Sequence, residues 1–413
     1  MTSEQILVEE YPAGTPSLRL SVVTETWPPE INGVSLTLSR LVQGLGARNH
    51  AVQLIRPRQR RSDEPVSHTG YEELLMRGMP IPRYPELKLG LPARRALINA
   101  WTLKRPDLVH IATEGPLGWS ALQAARVLKL PVTSDFRTNF HAYCEHYGVG
   151  WLRKPMVSYL RKFHNLTQLT MVPTRALRTQ LMDMGFENVQ VVARGVDTRL
   201  FNPQRRSEAL RRQWGAGSGS LVMLVVGRLA AEKNLDVALQ AHAAMQAHHA
   251  DVKLVLVGDG PLRASLQQRC PQAVFAGMRR HEELADYYAS ADLFVFPSLT
   301  ETFGNVTIEA LASGLPVLAF DTAAASDWVQ SHANGWLVPA GQQEAFMRVA
   351  ADLARTPSLL AQAREQARAR VAHLDWQQIA MQVESLMLQA MDPSTSADAV
   401  PRPAMAHGPA PLS

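Results

Sequence analysis

Residues 221–262 read LVMLVVGRLAAEKNLDVALQAHAAMQAHHADVKLVLVGDGPL. A wholly apolar run (221–226) ends in a glycine and a charged loop. A helical stretch, LDVALQAHAAMQAHH, follows, and then a second apolar run, VKLVLV (252–257). Short runs of this kind suit strands buried on both faces, and a helix between two of them is the βα unit of a parallel sheet. The alternation continues through AVFAG (273–277), DLFVF (292–296), LPVLAF (315–320) and GWLV (335–338). Toward the N-terminus a second series appears: LRLSVV (18–23), AVQLIR (51–56), DLVHI (107–111), PVTS (131–134), QLTMV (168–172) and NVQVV (188–192). The predicted fold class is α/β, with two Rossmann-like, doubly wound parallel sheets.

A chain of 413 residues exceeds the usual single core, which agrees with two domains. The stretch RRSEALRRQWGAGSGS (205–220) is charged, then rich in Gly and Ser, and reads as a hinge region. A last amphipathic helix, WQQIAMQVESLMLQAM, begins after Asp375 as N-cap and sets Trp376, Ala380, Val383 and Met387 on one face. Residues 1–16 and 392–413 are expected to be disordered, the tail because Pro, Ala and Ser leave it little to bury.

No run of about twenty apolar residues is present, so no helix is expected to span a membrane. The N-terminus lacks the basic flank and apolar core of a signal peptide. The only cysteines, Cys144 and Cys270, make neither a disulfide framework nor a thiol cluster for zinc. A cytoplasmic location is expected, at the inner face of the membrane if there is membrane contact. Residues 1–216 carry a net charge of +11 and residues 217–413 a net of −6. The basic half points to an anionic partner or is a basic surface with none. Dispersed cations without a recognition motif disfavour nucleic acid. The stretch WLRKPMVSYLRKFHN (151–165) reads either as a basic helix lying on an anionic membrane or as a helix with one core face and solvated charges.

In such sheets ligands bind beyond the carboxyl ends of strands. After 221–226 come Gly227, Arg228 and Lys233, and two cations in one loop suit a pyrophosphate. After 252–257 comes Gly258-Asp259-Gly260-Pro261, a tight turn. After DLFVFPS the sequence is LTETFGNVTIEAL (299–311). Glu301 lies in the loop and Glu309 in the next helix. Phe303, Gly304 and Asn305 between them place backbone amides at a helix N-terminus, an anion site. Glu309 sits among apolar neighbours, where a buried carboxylate needs a partner.

Together these segments resemble the retaining GT-B glycosyltransferases, most nearly the bacterial GDP-mannose-dependent α-mannosyltransferases. The likeness runs over roughly residues 18–390 and also rests on TETWPPEINGV (24–34) and HIATEGPLGWSA (110–121). It implies two domains facing a cleft: an acceptor-binding domain over 17–200, and a nucleotide-sugar domain over 201–373, with the helix at 374–391 packing back onto the first. It implies that Arg228 and Lys233 bind the donor diphosphate, Glu301 contacts the donor sugar and Glu309 the ribose. Phe303, Gly304 and Asn305 would hold sugar and phosphate, Gly33 would approach the donor phosphates or stand in an ordinary βα turn, and Gly258 and Met278 would flank the base. Relatives commonly have a histidine where this chain has Arg137, and arginine cannot serve as a base. Arg137 is then read as stabilising the departing diphosphate, with His141 reaching the sugar or standing only as a surface residue. Glu114 meets an acceptor hydroxyl or caps a helix. Asp135 is without a role, and so are His146 and Tyr147. Arg194 lies near the cleft or holds Asp197.

The expected reaction moves a hexose, mannose from GDP-mannose by the resemblance, to a hydroxyl of a lipid, glycan or small molecule. No metal or other cofactor is expected. The competing readings are a UDP-sugar donor, a sugar-nucleotide epimerase on the same fold, and a nucleotide-sugar-binding protein without transfer activity.

Overall fold

The structure, a computed structural model, describes residues 17–30, 33–60, 62–68, 70–81, 84–137 and 153–392. The front domain holds β1 (Arg19–Val23), β2 (Ala51–Pro57), β3 (Ser67–His68), β4 (Tyr71–Met76), β5 (Gly78–Ile81), β6 (Tyr84–Gly90), β7 (Leu108–Ile111), β8 (Val132–Asp135), β9 (Leu169–Val172) and β10 (Val189–Val191). The rear domain holds β11 (Leu221–Val226), β12 (Val252–Val257), β13 (Val274–Gly277), β14 (Leu293–Phe296), β15 (Val317–Phe320) and β16 (Gly335–Val338).

The front sheet has the order β10-β9-β8-β7-β1-β2-β4-β3 and the rear sheet β13-β12-β11-β14-β15-β16. Pairing is parallel throughout, except between β3 and β4 and in the separate β5–β6 ribbon. Each sheet is wound both ways from its first strand. The winding reverses between β1 and β7 in front and between β11 and β14 at the rear. Loops diverge at such reversal points and leave a crevice over the strand ends. The crevices follow from the apolar runs themselves: β11 is buried along its whole length, β14 and β15 likewise, so only their ends can present polar groups to a ligand.

Two sequence expectations are corrected. Residues 67–90 carry four strands where none was expected. YEELLM in β4 is half-buried and lacks an apolar run, since it lies toward the edge of the sheet. Residues 205–220 are not a free hinge. Arg206 and Arg211 meet Asp292 at 3.1 and 2.8 Å, and buried Arg211 also donates to the carbonyls of Ser290 (2.9 Å) and Ser220 (3.0 Å). Asp292 and Ser290 lie some eighty residues away, so composition alone could not show them.

The chain crosses between domains twice, side by side. The Val196 N–H donates to Leu374 O at 2.8 Å, and Gly195 passes flat over Trp376, where a Cβ would lie 2.5 Å from the indole. The helix Trp376–Met391 then lies on the helix Gly33–Ala47 of the front domain. Its buried Glu384 accepts from Arg48 Nε (2.7 Å) and pairs with His50 Nε2 (2.8 Å). Among the described residues no helix is long and apolar enough to cross a membrane.

Candidate functional site

The two crevices face each other across a cleft of about 530 Å³. Gly33, Arg137 and Arg194 line it from the front domain; Gly227, Arg228, Lys233 and the loop from Thr300 to Val306 line it from the rear.

The rear wall is built by the loops after β11 and β14. Asn234, in left-handed backbone (φ 52°), donates to Pro297 O at 3.2 Å and ties the two loops together. Lys233 is thereby held against Glu301, with which it forms a close ion pair, and Ser298 Oγ donates to the same Glu301 oxygen at 3.0 Å. Arg228 is free by comparison: its side chain is 67% exposed and meets only Glu232 at 3.6 Å. Gly304 turns the chain with φ 87° into the helix Asn305–Ala312. No side chain caps this helix; Thr307 N–H donates to Gly304 O at 3.0 Å, and Asn305 and Val306 before it line the cleft. Phe303 is buried, with its carbonyl accepting from Ala324 N–H at 2.8 Å.

Glu309 lies one turn deeper, outside the lining of the cleft, and accepts from Tyr288 OH at 3.0 Å. Burial pushes its carboxyl from 4.5 up to about 7, and the Tyr288 hydrogen bond relieves this only in part. The folded protein therefore holds this proton more tightly than the unfolded chain does. The cost of Glu309 to stability is absent well below pH 4.5, grows as pH rises from 4.5 to about 7, and levels off above that. Glu309→Gln is expected to stabilise the ligand-free protein by about 1–3 kcal/mol at pH 8 and by much less at pH 5. Urea unfolding at the two pH values checks this; an equal change at both refutes the titration.

Gly258 (φ 135°) abuts the Gly227 carbonyl, which a Cβ would meet at 1.9 Å, and Met278 is exposed. Neither lines the cleft; Gly258 follows β12 and Met278 follows β13.

On the front wall, Arg137 donates to Asp135 through Nε (2.8 Å) and a terminal nitrogen (2.5 Å), and His110 Nε2 lies 3.2 Å from the same carboxylate oxygen. Burial alone would raise the Asp135 carboxyl. Arg137 and His110 outweigh it and hold the group well below its usual range. Asp135, without a role by sequence, is thus the anchor of Arg137. His141, His146, Tyr147 and Cys144 lie outside the described residues. Arg194 does not hold Asp197, which instead accepts from the Arg199 and Leu200 amides at 3.2 and 3.0 Å. Arg194 reaches across to Asn305 of the rear domain, its terminal nitrogen 3.3 Å from Asn305 Oδ1.

Glu25 was passed over in the sequence. It follows β1 at the front reversal point and accepts from Leu117 N–H at 2.8 Å, at the start of the helix Pro116–Val127. Gly115 makes room, since a Cβ there would stand 2.0 Å from the Glu25 carboxylate. Burial pushes Glu25 to about 7 against the relief from those helix amides, with neighbouring Glu114 adding to the rise. Glu114, after β7, pairs with His164 Nε2 at 3.3 Å, and His164 Nδ1 lies 2.9 Å from Ser134 Oγ. The signal for Glu25 was positional: a carboxylate just after the first strand of a doubly wound sheet.

Comparison with known proteins bears on this arrangement. Residues 220–356 match the family described as glycosyl transferases group 1, and residues 31–200 match glycosyltransferase family 4. The chain is 36% identical, over 79% of its length and 85% of the relative's, to the GDP-mannose-dependent alpha-mannosyltransferase of Mycobacterium tuberculosis. It is 30% identical, over 73% of its length and 71% of the relative's, to the alpha-monoglucosyldiacylglycerol synthase of Streptococcus pneumoniae. In structure it is similar to sucrose-phosphate synthase from Thermosynechococcus elongatus, with a TM-score of 0.70 at 20% identity, over 90% of this chain and 98% of that one. Two parallel-sheet domains facing a cleft are the GT-B architecture.

Proposed function

The chain is a glycosyltransferase belonging to the group 1 family, and from that premise we propose that it transfers mannose from GDP-mannose to an acceptor hydroxyl with retention at the anomeric carbon. The observation that carries the reading is the rear wall of the cleft. Lys233, exposed Arg228 and an uncapped helix start converge beside a carboxylate, Glu301. That set suits a diphosphate joined to a sugar: cations and amides for the phosphates, an acid for the hydroxyls. The choice of GDP-mannose is supported by the name of the 36% identical relative.

In the proposed reaction the bond between the anomeric carbon and the distal phosphate oxygen breaks as the acceptor oxygen bonds to the same face of that carbon. The acceptor proton passes to the departing diphosphate oxygen. Negative charge grows on the diphosphate, where fixed donors are worth most. Lys233, Arg228 and the amides at Asn305 supply them, in the place a metal ion would take. Asp135 holds Arg137 at the front wall, where its charge faces the same cleft.

The acceptor reading includes lipid for a specific reason. The helix Arg153–His164 buries Leu160 and Phe163 and leaves Lys154, Arg161 and Lys162 exposed, a basic surface suited to anionic headgroups. The relative from S. pneumoniae is named for a glycolipid product.

A thermal-shift comparison of GDP-mannose with UDP-glucose and other UDP-sugars tests the donor, since a bound donor raises the melting temperature. Labelled donor is then offered glycan, small-molecule and anionic-vesicle acceptors in buffer containing EDTA. GDP-mannose is expected to give the largest shift and to label an acceptor despite the chelator. A shift with UDP-sugars alone reassigns the donor. Epimer formed without acceptor, or saturable binding with no product from any acceptor, overturns the transfer.

A further inference from the structure

Arg194 is a buried charge without a counter-charge. It is 8% exposed; its guanidinium lies 5.5 Å over the Phe303 ring and reaches Asn305 Oδ1 at 3.3 Å, while its Nε–H is enclosed with no acceptor at all. Among the described residues no carboxylate comes within ion-pair distance of it. The nearby acids are taken: Asp135 by Arg137 and Glu301 by Lys233. Burial, with neighbouring Arg137 adding to it, pushes Arg194 down to about 9, against the pull of Asp135 and Glu301.

A purely structural role fits poorly. Burying a cation costs several kcal/mol, and one hydrogen bond to a neutral amide returns about 1 kcal/mol. A neutral side chain would bridge the domains more cheaply. The placement suggests what completes the site. Arg194 stands between two helix starts, one from each domain: a Cβ on Gly33 would lie 3.0 Å from its terminal nitrogen, and Asn305 opens the helix on the other side. The helix opened by Asn305 has neither a capping side chain nor an acid in its first turn, so its positive end is open to an anion.

We infer that Arg194 receives the distal, sugar-bearing phosphate of the donor and through it ties the front domain to the rear one. The inference rests on the reading of the cleft as a nucleoside diphosphate sugar site, and it adds a third cation to the Arg228 and Lys233 pair. Arg228 and Lys233 line the cleft from the rear domain, whereas Arg194 comes from the front domain and reaches Asn305 of the rear one. Arg194 is therefore a group that adds to the preference for a diphosphate over a monophosphate.

The test is the preference for diphosphate over monophosphate, measured by calorimetric titration of GDP against GMP and UDP against UMP at fixed salt. Wild type is compared with Arg194→Met and Arg194→Lys. Arg194→Met is expected to lose about 10- to 100-fold of that preference, with monophosphate affinity unchanged within about two-fold. Arg194→Lys is expected to restore part of it. Both variants should melt, ligand-free, no lower than wild type, because a buried unpaired charge has been removed or made more adaptable. An unchanged preference in Arg194→Met overturns the inference, and so does a large fall in ligand-free melting temperature, which would make Arg194 a structural strut. A wild type with no preference for either diphosphate instead removes the donor reading itself.

Discussion

Glu301→Ala is expected to lower kcat by about 100- to 1,000-fold while GDP affinity stays within a few-fold of wild type. Glu301 is held by Lys233 and Ser298 at the mouth of the rear sheet, just before the helix start that lines the cleft. In the proposed complex its carboxylate accepts from sugar hydroxyls and fixes the anomeric carbon toward the acceptor. GDP lacks the transferred hexose, so its binding has no use for that carboxylate. Removing it also frees Lys233 for the phosphates, which keeps GDP binding intact or tightens it. Steady-state kinetics beside calorimetry with GDP separates the two effects. A loss of GDP affinity as large as the loss of kcat would place Glu301 on the nucleotide instead.

Lys233→Ala should act in the opposite sense, raising the Kd for GDP by about 10- to 100-fold and removing the GDP-induced thermal shift. The change deletes the cation and also leaves the Glu301 carboxylate with only Ser298 for company, facing the incoming phosphates. Part of the loss is therefore repulsion by an exposed acid. The double variant Lys233→Ala/Glu301→Ala is expected to bind GDP better than Lys233→Ala alone, a non-additivity that groups in contact show and distant groups do not. Full donor affinity in Lys233→Ala would end the assignment of this loop to the diphosphate. The ion pair has a second use in the ligand-free protein. Side chains that are 23% and 16% exposed are paired there, so neither is left as an unpaired, partly buried charge.

Some of this was legible in the chain before any folding was considered. Period and composition reveal a strand such as LVMLVV or a helix such as WQQIAMQVESLMLQAM, because burial of a regular element imposes its own spacing on neighbouring residues. The positions just after strands were legible for the same reason. Once a sheet is parallel and doubly wound, its polar strand ends are its only candidates for a ligand, and Lys233, Glu301 and Asn305 stand at such ends. The edge strand β4 escaped because a half-buried strand needs no apolar run. The segment 205–220 has the composition of a hinge but is tied down, because its charges are satisfied by Asp292, Ser290 and Ser220.

By itself the sequence determined two parallel sheets and the loops that bear their chemistry, since both follow from interactions along a few consecutive residues. Only the tertiary structure decided who is paired with whom. Asp135 anchors Arg137, Lys233 neutralises Glu301, Glu25 rests on another helix's amides, and Arg194 is left without a carboxylate. The physical reason is that the energy of a charge depends on what lies within a few ångströms of it. In a two-domain fold those neighbours come from loops as many as a hundred residues apart.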